Sequence, residues 1–109
     1  MAKDPHHLEA PIQAVIDATN KGDSKAFVAA FSKDAHVNDW GEVHVGRGDI
    51  GTWDREENTG AKTKLKVTGV SRLAGEVLVL LQITRGETTE TGTWSFRVKG
   101  QDVVSLEIG

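Results

Sequence analysis

Apolar positions recur along this chain with two different periods, and the change from one to the other divides the sequence. Leu8, Ile12, Val15, Ile16 and Thr19 fall at helical spacing, the buried stripe of an amphipathic helix. Asp4-Pro5 reads as a cap followed by Pro at the first helical position. Pro11 interrupts the stripe, so the helix either kinks there or begins near Glu9-Ala10. Asn20-Lys21-Gly22 stops it. Asp23 caps a second helix with Phe27, Val28 and Phe31 as its buried stripe, ended by Ser32-Lys33-Asp34. Two such helices separated by one glycine offer a joint apolar surface to another layer.

That layer carries the other period. Ala35, Val37 and Asp39 alternate up to a turn at Gly41, and Glu42 to Val45 forms the return strand. Gly46-Arg47-Gly48 leads into a third helix with Ile50, Trp53, Asp54 and Glu57 on one face, closed by Asn58-Thr59-Gly60. From Ala61 to Gly69, Lys62, Lys64 and Lys66 alternate with Thr63, Leu65 and Val67. Val77 to Ile83 is apolar on both faces, as expected of a central strand covered on each side. Thr91 to Val98 alternates again, with Trp94, Phe96 and Val98 sharing a face. After a hairpin loop at Lys99 to Asp102, Val104, Leu106 and Ile108 line the last strand. Helices first and an antiparallel meander last predict one α+β domain. A strongly curved sheet over the helices leaves a conical cavity whose mouth the third helix closes.

Composition narrows the chemistry. A chain of 109 residues is long enough for one hydrophobic core. A formal net charge of −3 and a pI near 5.8 give no basic footprint for nucleic acid or an anionic membrane. The run from Val77 to Leu81 is too short to span a bilayer, and Met1 to His7 lacks the apolar core of a signal peptide. A cytoplasmic protein is expected. With no cysteine there is no thiolate, and with no tyrosine there is no phenol to act as acid or oxyanion donor. Three tryptophans remain.

Asp39 is the candidate catalytic residue. An inward carboxylate beside Trp40 and Trp53 suits proton abstraction from carbon or activation of water; the alternative is a turn aspartate accepting backbone N–H bonds ahead of Gly41. Trp53 and Trp94 either stack on a flat ligand or fill the core. Asp54 and Glu57, one turn from Trp53, offer a second carboxylate opposite Asp39. Gln82 or Thr84 is a polar handle inside the cavity or part of a dimer face. No metal site is expected: His36 and Asp39 have opposite strand parity, and His44 is flanked by Val43 and Val45 without a helical His-x-x-x-His. Gly46-Arg47-Gly48 lacks the remaining glycines of a phosphate loop, so no nucleotide cofactor is expected.

The order helix, helix, short hairpin, helix, long meander resembles the nuclear transport factor 2-like superfamily, with its SnoaL-like cyclases and ketosteroid isomerase-like proteins. The local likeness rests on Asn20-Lys21-Gly22-Asp23, on Phe31-Ser32-Lys33-Asp34-Ala35-x-Val37-x-Asp39, and on Gly46-Arg47-Gly48-Asp49-Ile50. The resemblance implies a cystatin-like cone, a curved antiparallel sheet wrapped over the N-terminal helices. It places Asp39 at the position of the isomerases' general base. Their oxyanion tyrosine and protonated aspartate correspond to Val15 and Trp94, so a steroid isomerase is not expected. Phe27, Phe31, Phe96, Leu106 and Ile108 join Val15, Trp40, Trp53 and Trp94 as expected cavity walls.

The function expected is cofactor-independent binding of a small apolar or aromatic metabolite, with isomerase-, cyclase- or hydrolase-like chemistry at Asp39. The alternative is a non-catalytic ligand-binding or dimerisation module. The apolar outer face of Val77 to Ile83 predicts a homodimer through the sheet.

Overall fold

The computed structural model describes residues 7 to 109, so the Asp4-Pro5 cap and His6 lie outside the described residues. Helix α1 (Ala10–Lys21) starts just before Pro11, which sits in its first turn and needs no kink. Gly22, at φ 70°, ends it in the left-handed conformation and donates its N–H to the last turn's carbonyls. In α2 (Ser24–Ala29) Asp23 Oδ1 accepts the Ala26 N–H at 3.0 Å, the cap expected of it.

The second helix is shorter than its apolar stripe suggests. Phe31 to Asp34 are not its end but the start of strand β1 (Phe31–Asp39). Val103 donates its N–H to Ala30 O at 2.9 Å, and Phe31 pairs with Val103. A strand ladder has claimed the backbone groups that another helical turn would need. Phe31 is nevertheless fully buried.

Strand β2 (Glu42–Val45), helix α3 (Gly46–Glu57) and a 3₁₀ turn (Thr59–Ala61) follow, then β3 (Lys64–Leu73), β4 (Glu76–Arg85), β5 (Thr88–Lys99) and β6 (Asp102–Ile108). The sheet order is β2-β1-β6-β5-β4-β3, antiparallel except where β1 runs parallel to β6. This is a mixed α+β fold with a curved, open sheet. Its pairing aligns two rows of side chains on the helix-facing side. One row is His44, Val37, Leu106, Phe96, Val77 and Arg72. The row beside it is Glu42, Asp39, Ile108, Trp94, Val79 and Val70. Val37, Leu106, Phe96 and Val79 are fully buried and belong to the core with Ile12, Val15 and Phe27.

Three strands differ from expectation. Ala61 to Thr63 are not strand: Lys62 is left-handed at φ 57°, and the Asn58 carbonyl accepts N–H groups from both Ala61 and Thr63. The strand starts at Lys64 and, after an irregularity between Val67 and Gly69, continues to Leu73. β4 is next to the sheet's edge and not central. Only Val77, Val79, Leu81 and Ile83 are buried; Leu80 and Gln82 are exposed, because the helices cover one face alone. In β6 the buried valine is Val103 and not Val104, since register shifts at Arg97/Val98 and between Phe31 and His36 change which residues face inward. Among the described residues no helix is long and apolar enough to cross a membrane.

Helix α1 is tied to the edge strand β3 at both of its ends. Asn20 acts as a strand partner, with Nδ2 donating to Leu65 O at 3.0 Å and Oδ1 accepting Leu65 N–H at 2.7 Å. This covers part of an open sheet edge. At the other end Arg72 Nη2 reaches Glu9 Oε1 at 2.6 Å, with Nε 3.4 Å from Oε2, and also donates to His7 O. The hydrogen bonds from Arg72 hold the Glu9 carboxyl below its ordinary value. A lowered folded value means the pair contributes above the unfolded carboxyl's range and is lost as pH falls through the folded value. Both side chains are well exposed, so Glu9→Gln should cost only about 0.5–1 kcal/mol at pH 7. Urea titrations should show that difference shrinking below about pH 4 and lost once the folded carboxyl is protonated.

Candidate functional site

The hairpin joining β1 to β2 turns in two residues, Trp40 at φ 52° and Gly41 at φ 94°. Both must be left-handed in this kind of turn, which glycine and asparagine favour and tryptophan does not. Asn38 Oδ1 accepts the Gly41 N–H at 2.8 Å, so the turn's cap is Asn38. Asp39 shares the inward parity of Val37 and is half-buried. Its carboxylate is met from α3, where Trp53 Nε1 donates to Asp39 Oδ2 at 3.0 Å. The Phe27 ring lies 6.0 Å from Trp53 on one side and the His44 ring 6.1 Å away on another, so the indole holding Asp39 is itself packed. His44 Nε2 lies 3.2 Å from Glu42 Oε1, out of alignment for a hydrogen bond.

Asp39 opens onto a cavity of about 450 Å³. The hairpin and α3 supply Asp39, Trp40, Trp53 and Glu57 to its wall. The sheet supplies Trp94 and Ile108, with Ile83 and Gly92 beside them. Asp39 and Trp94 both lie directly opposite Ile108, one on each side of β6, so roughly 10 Å separates their Cα atoms, two strand spacings. Trp94 is 1% exposed, and its Nε1 is buried without a hydrogen-bond partner among the described residues. An orphaned indole N–H costs about 1–3 kcal/mol of desolvation. A Cβ on Gly92 would come within 2.8 Å of Ile83 Cδ1; glycine leaves that wall open. Arg85 and Glu90 complete the rim, Arg85 Nη1 lying 3.5 Å from Glu90 Oε1 while its Nε donates to Thr63 Oγ1 at 3.1 Å.

Of the residues expected at the site, six surround this cavity: Asp39, Trp40, Trp53, Glu57, Trp94 and Ile108. Val15, Phe27, Phe31, Phe96 and Leu106 are fully buried and are not on its walls. Phe96 and Leu106 point the same way as Trp94 and Ile108 but stand two residues along their strands, about 7 Å from the cavity row. Asp54 is fully buried elsewhere, accepting hydrogen bonds from Asn58 Nδ2 (2.9 Å) and Thr59 Oγ1 (2.7 Å). Asn58 Nδ2 also reaches Thr19 Oγ1 on α1 at 3.0 Å. This buried network closes α3. Gly60 belongs to the same closure, because a Cβ there would overlap the Arg55 carbonyl.

Gln82 is exposed on the sheet's outer face, and Thr84 Oγ1 lies 3.0 Å from Thr89 Oγ1 rather than in the cavity. Ile83, Arg85, Glu90 and Gly92 were not expected at the site. Ile83 and Arg85 share the inward parity of Val79 and Leu81, a signal masked by reading Arg85-Gly86-Glu87 as a turn alone. Among the described residues no group of three His, Cys, Asp or Glu side chains is placed to hold a metal ion.

No family model matches the chain, and no curated protein matches it. Solved structures do. A proposed polyketide cyclase from Sinorhizobium meliloti is 24% identical with a TM-score of 0.87, the match covering 98% of this chain and 100% of that one. A nuclear transport factor 2-like protein of unknown function from Cytophaga hutchinsonii has a TM-score of 0.78 at 13% identity, covering 97% and 93%. A protein with the ketosteroid isomerase-like fold from Catenulispora acidiphila, solved in complex with trimethylamine, has a TM-score of 0.77 at 18% identity, covering 94% and 86%. The fold is therefore that of the nuclear transport factor 2-like and ketosteroid isomerase-like proteins.

Removing the Asp54 carboxyl leaves Asn58 and Thr59 donors buried and unpaired. Asp54→Ala should destabilise the protein by about 3 kcal/mol, whereas Glu57→Gln at the exposed rim should stay within about 0.5 kcal/mol. Urea unfolding of the two variants measures the contrast.

Proposed function

We propose that this protein binds a small, compact organic molecule in the cavity beside α3, with Asp39 taking a hydrogen bond or a proton from it. The observation that carries the reading is the pair of groups flanking Ile108: a carboxylate oriented by the Trp53 indole, and an indole N–H on Trp94 without a partner. A ligand oxygen against Trp94 and a donor or acidic C–H against Asp39 would use both. Preorganised groups of this kind stabilise developing charge without reorganising, which suits proton abstraction next to a carbonyl. The Trp94 N–H stands where the isomerase resemblance puts an oxyanion donor, so a different donor type would serve the same end. That a protein of this fold holds trimethylamine supports a compact ligand in the cone.

Apolar carbonyl compounds should quench or shift tryptophan emission, and Trp94→Phe, which keeps the ring and deletes the N–H, should weaken their binding about five- to tenfold. Asp39→Asn should leave binding within about threefold but abolish deuterium exchange at the carbon next to the carbonyl. Exchange that persists in Asp39→Asn would remove Asp39 from the chemistry. Binding without exchange in the native protein would make it a binding module.

We further propose that two copies pair through the sheet's outer face. In support, Leu80 (44% exposed) and the β2 residues Val43 and Val45 (55% and 58%) leave apolar area uncovered on that side. Sedimentation at tens of micromolar should show a dimer, and Leu80→Lys should shift it toward monomer.

A further inference from the structure

We infer that the cavity selects a cation, a small alkylammonium compound that also carries an oxygen acceptor. The inference rests on the binding role proposed above and names the ligand class. All three tryptophans of the chain border this one cavity, Trp53 and Trp94 as buried wall and Trp40, 79% exposed, as the ring open to a ligand. Indole is the aromatic ring that attracts cations most strongly through its face, and aromatic walls with nearby carboxylates recognise methylated ammonium groups.

The charges agree with the rings. Asp39, Glu57 and Glu90 bring three carboxylates to the cavity, and Arg85 is its cation. Arg85 is already committed, with Nε on Thr63 Oγ1 and Nη1 3.5 Å from Glu90 Oε1. Neither Asp39 nor Glu57 has a cationic side chain within 4.0 Å among the described residues. With three carboxylates against one guanidinium, the cavity carries a net negative field that concentrates cationic ligands over anionic ones. The acceptor answers Trp94, whose N–H is unpartnered but sealed, so that a ligand oxygen reaches it only as the wall around it opens.

Trp40 supplies an independent observation. It is 79% exposed and holds a left-handed φ of 52°, two costs that a polar turn residue would avoid. A bulky ring kept against local preference at the lip of a cavity is a mark of use. Its indole face is where an ammonium entering the cone would first meet the protein.

The discriminating probes are acetylcholine and its neutral isostere 3,3-dimethylbutyl acetate, which share shape and ester oxygen and differ in charge. Titration calorimetry, with the indole N–H resonances of Trp53 and Trp94 as a second readout, should give acetylcholine at least about fivefold tighter binding at low salt. Trp40→Asn, which suits the left-handed turn and should keep or raise the melting temperature, should weaken acetylcholine about two- to fivefold and leave the neutral ester within about twofold. Arg85→Gln, which frees Glu90, should strengthen acetylcholine binding. Equal affinity for the two esters, or a preference for the neutral one, overturns cation selection while leaving the binding cavity standing. If neither ester gives heat or moves an indole resonance, the binding reading falls with it.

Discussion

The buried hydrogen bonds among Asp54, Asn58, Thr59 and Thr19 are the constraint on which the site depends. Helix α3 buries Ile50, Gly51 and Trp53 along its length, and past Asp54 its last residues are exposed. The network is complete except for Asn58 Oδ1, which is buried without a partner among the described residues, and losing a further member would cost more than a lost contact. It fastens the last turn of α3 to α1 and to the turn that follows. Trp53 precedes Asp54 by one residue, so the network's geometry also fixes where the indole points. Asp39 takes its orientation from that indole. The candidate reactive group thus rests on a chain of two side chains, one polar and buried, the other aromatic and packed against Phe27.

The sheet adds a second kind of positioning. Strand pairing puts Glu42, Asp39, Ile108, Trp94, Val79 and Val70 in line across all six strands, and the middle four residues of the row beside it, Val37, Leu106, Phe96 and Val77, are core. One step along the strands separates a wall that touches the cavity from one that supports it. This explains why apolar residues of the same parity, Phe96 and Trp94, have different surroundings. It also explains why carboxylates collect at one place: the row at the cone's open end is where inward-facing polar groups remain partly in water.

Much of the fold was legible because period and parity are local properties. The stripe of α1, the alternation of β5 and the inward parity of Val37 and Asp39 could all be read without knowing what they pack against. What could not be read was decided by partners distant in sequence. The strand begins at Phe31 because that residue pairs with Val103 of β6, and Val103 replaced Val104 because irregularities shift the register. For β4, an apolar run looked covered on both faces when the outward leucines are only partly sheltered. At the site, Asp39, Trp53 and Trp94 stood out by residue type and position. Arg85 and Glu90 did not, since flanking a turn looks the same whether or not a cavity lies beside it. Asp54 and Glu57 share a helical face in sequence, yet one is wholly buried, with hydrogen bonds from Asn58 and Thr59, and the other is exposed.

The parallel pairing of β1 with β6 has a kinetic meaning. Asp39 meets Ile108 only across most of the chain's length, and Trp94 joins that row through the same strand. The β3–β4–β5 meander can form from neighbouring segments, while the contact that sets the two flanking groups apart must wait for the last strand. Non-local pairings of this sort are slow to close because chain entropy is lost before contacts repay it. On a ribosome, the helices and hairpin would therefore emerge with their inward residues uncovered, and the cavity would come into being as one of the last acts of folding.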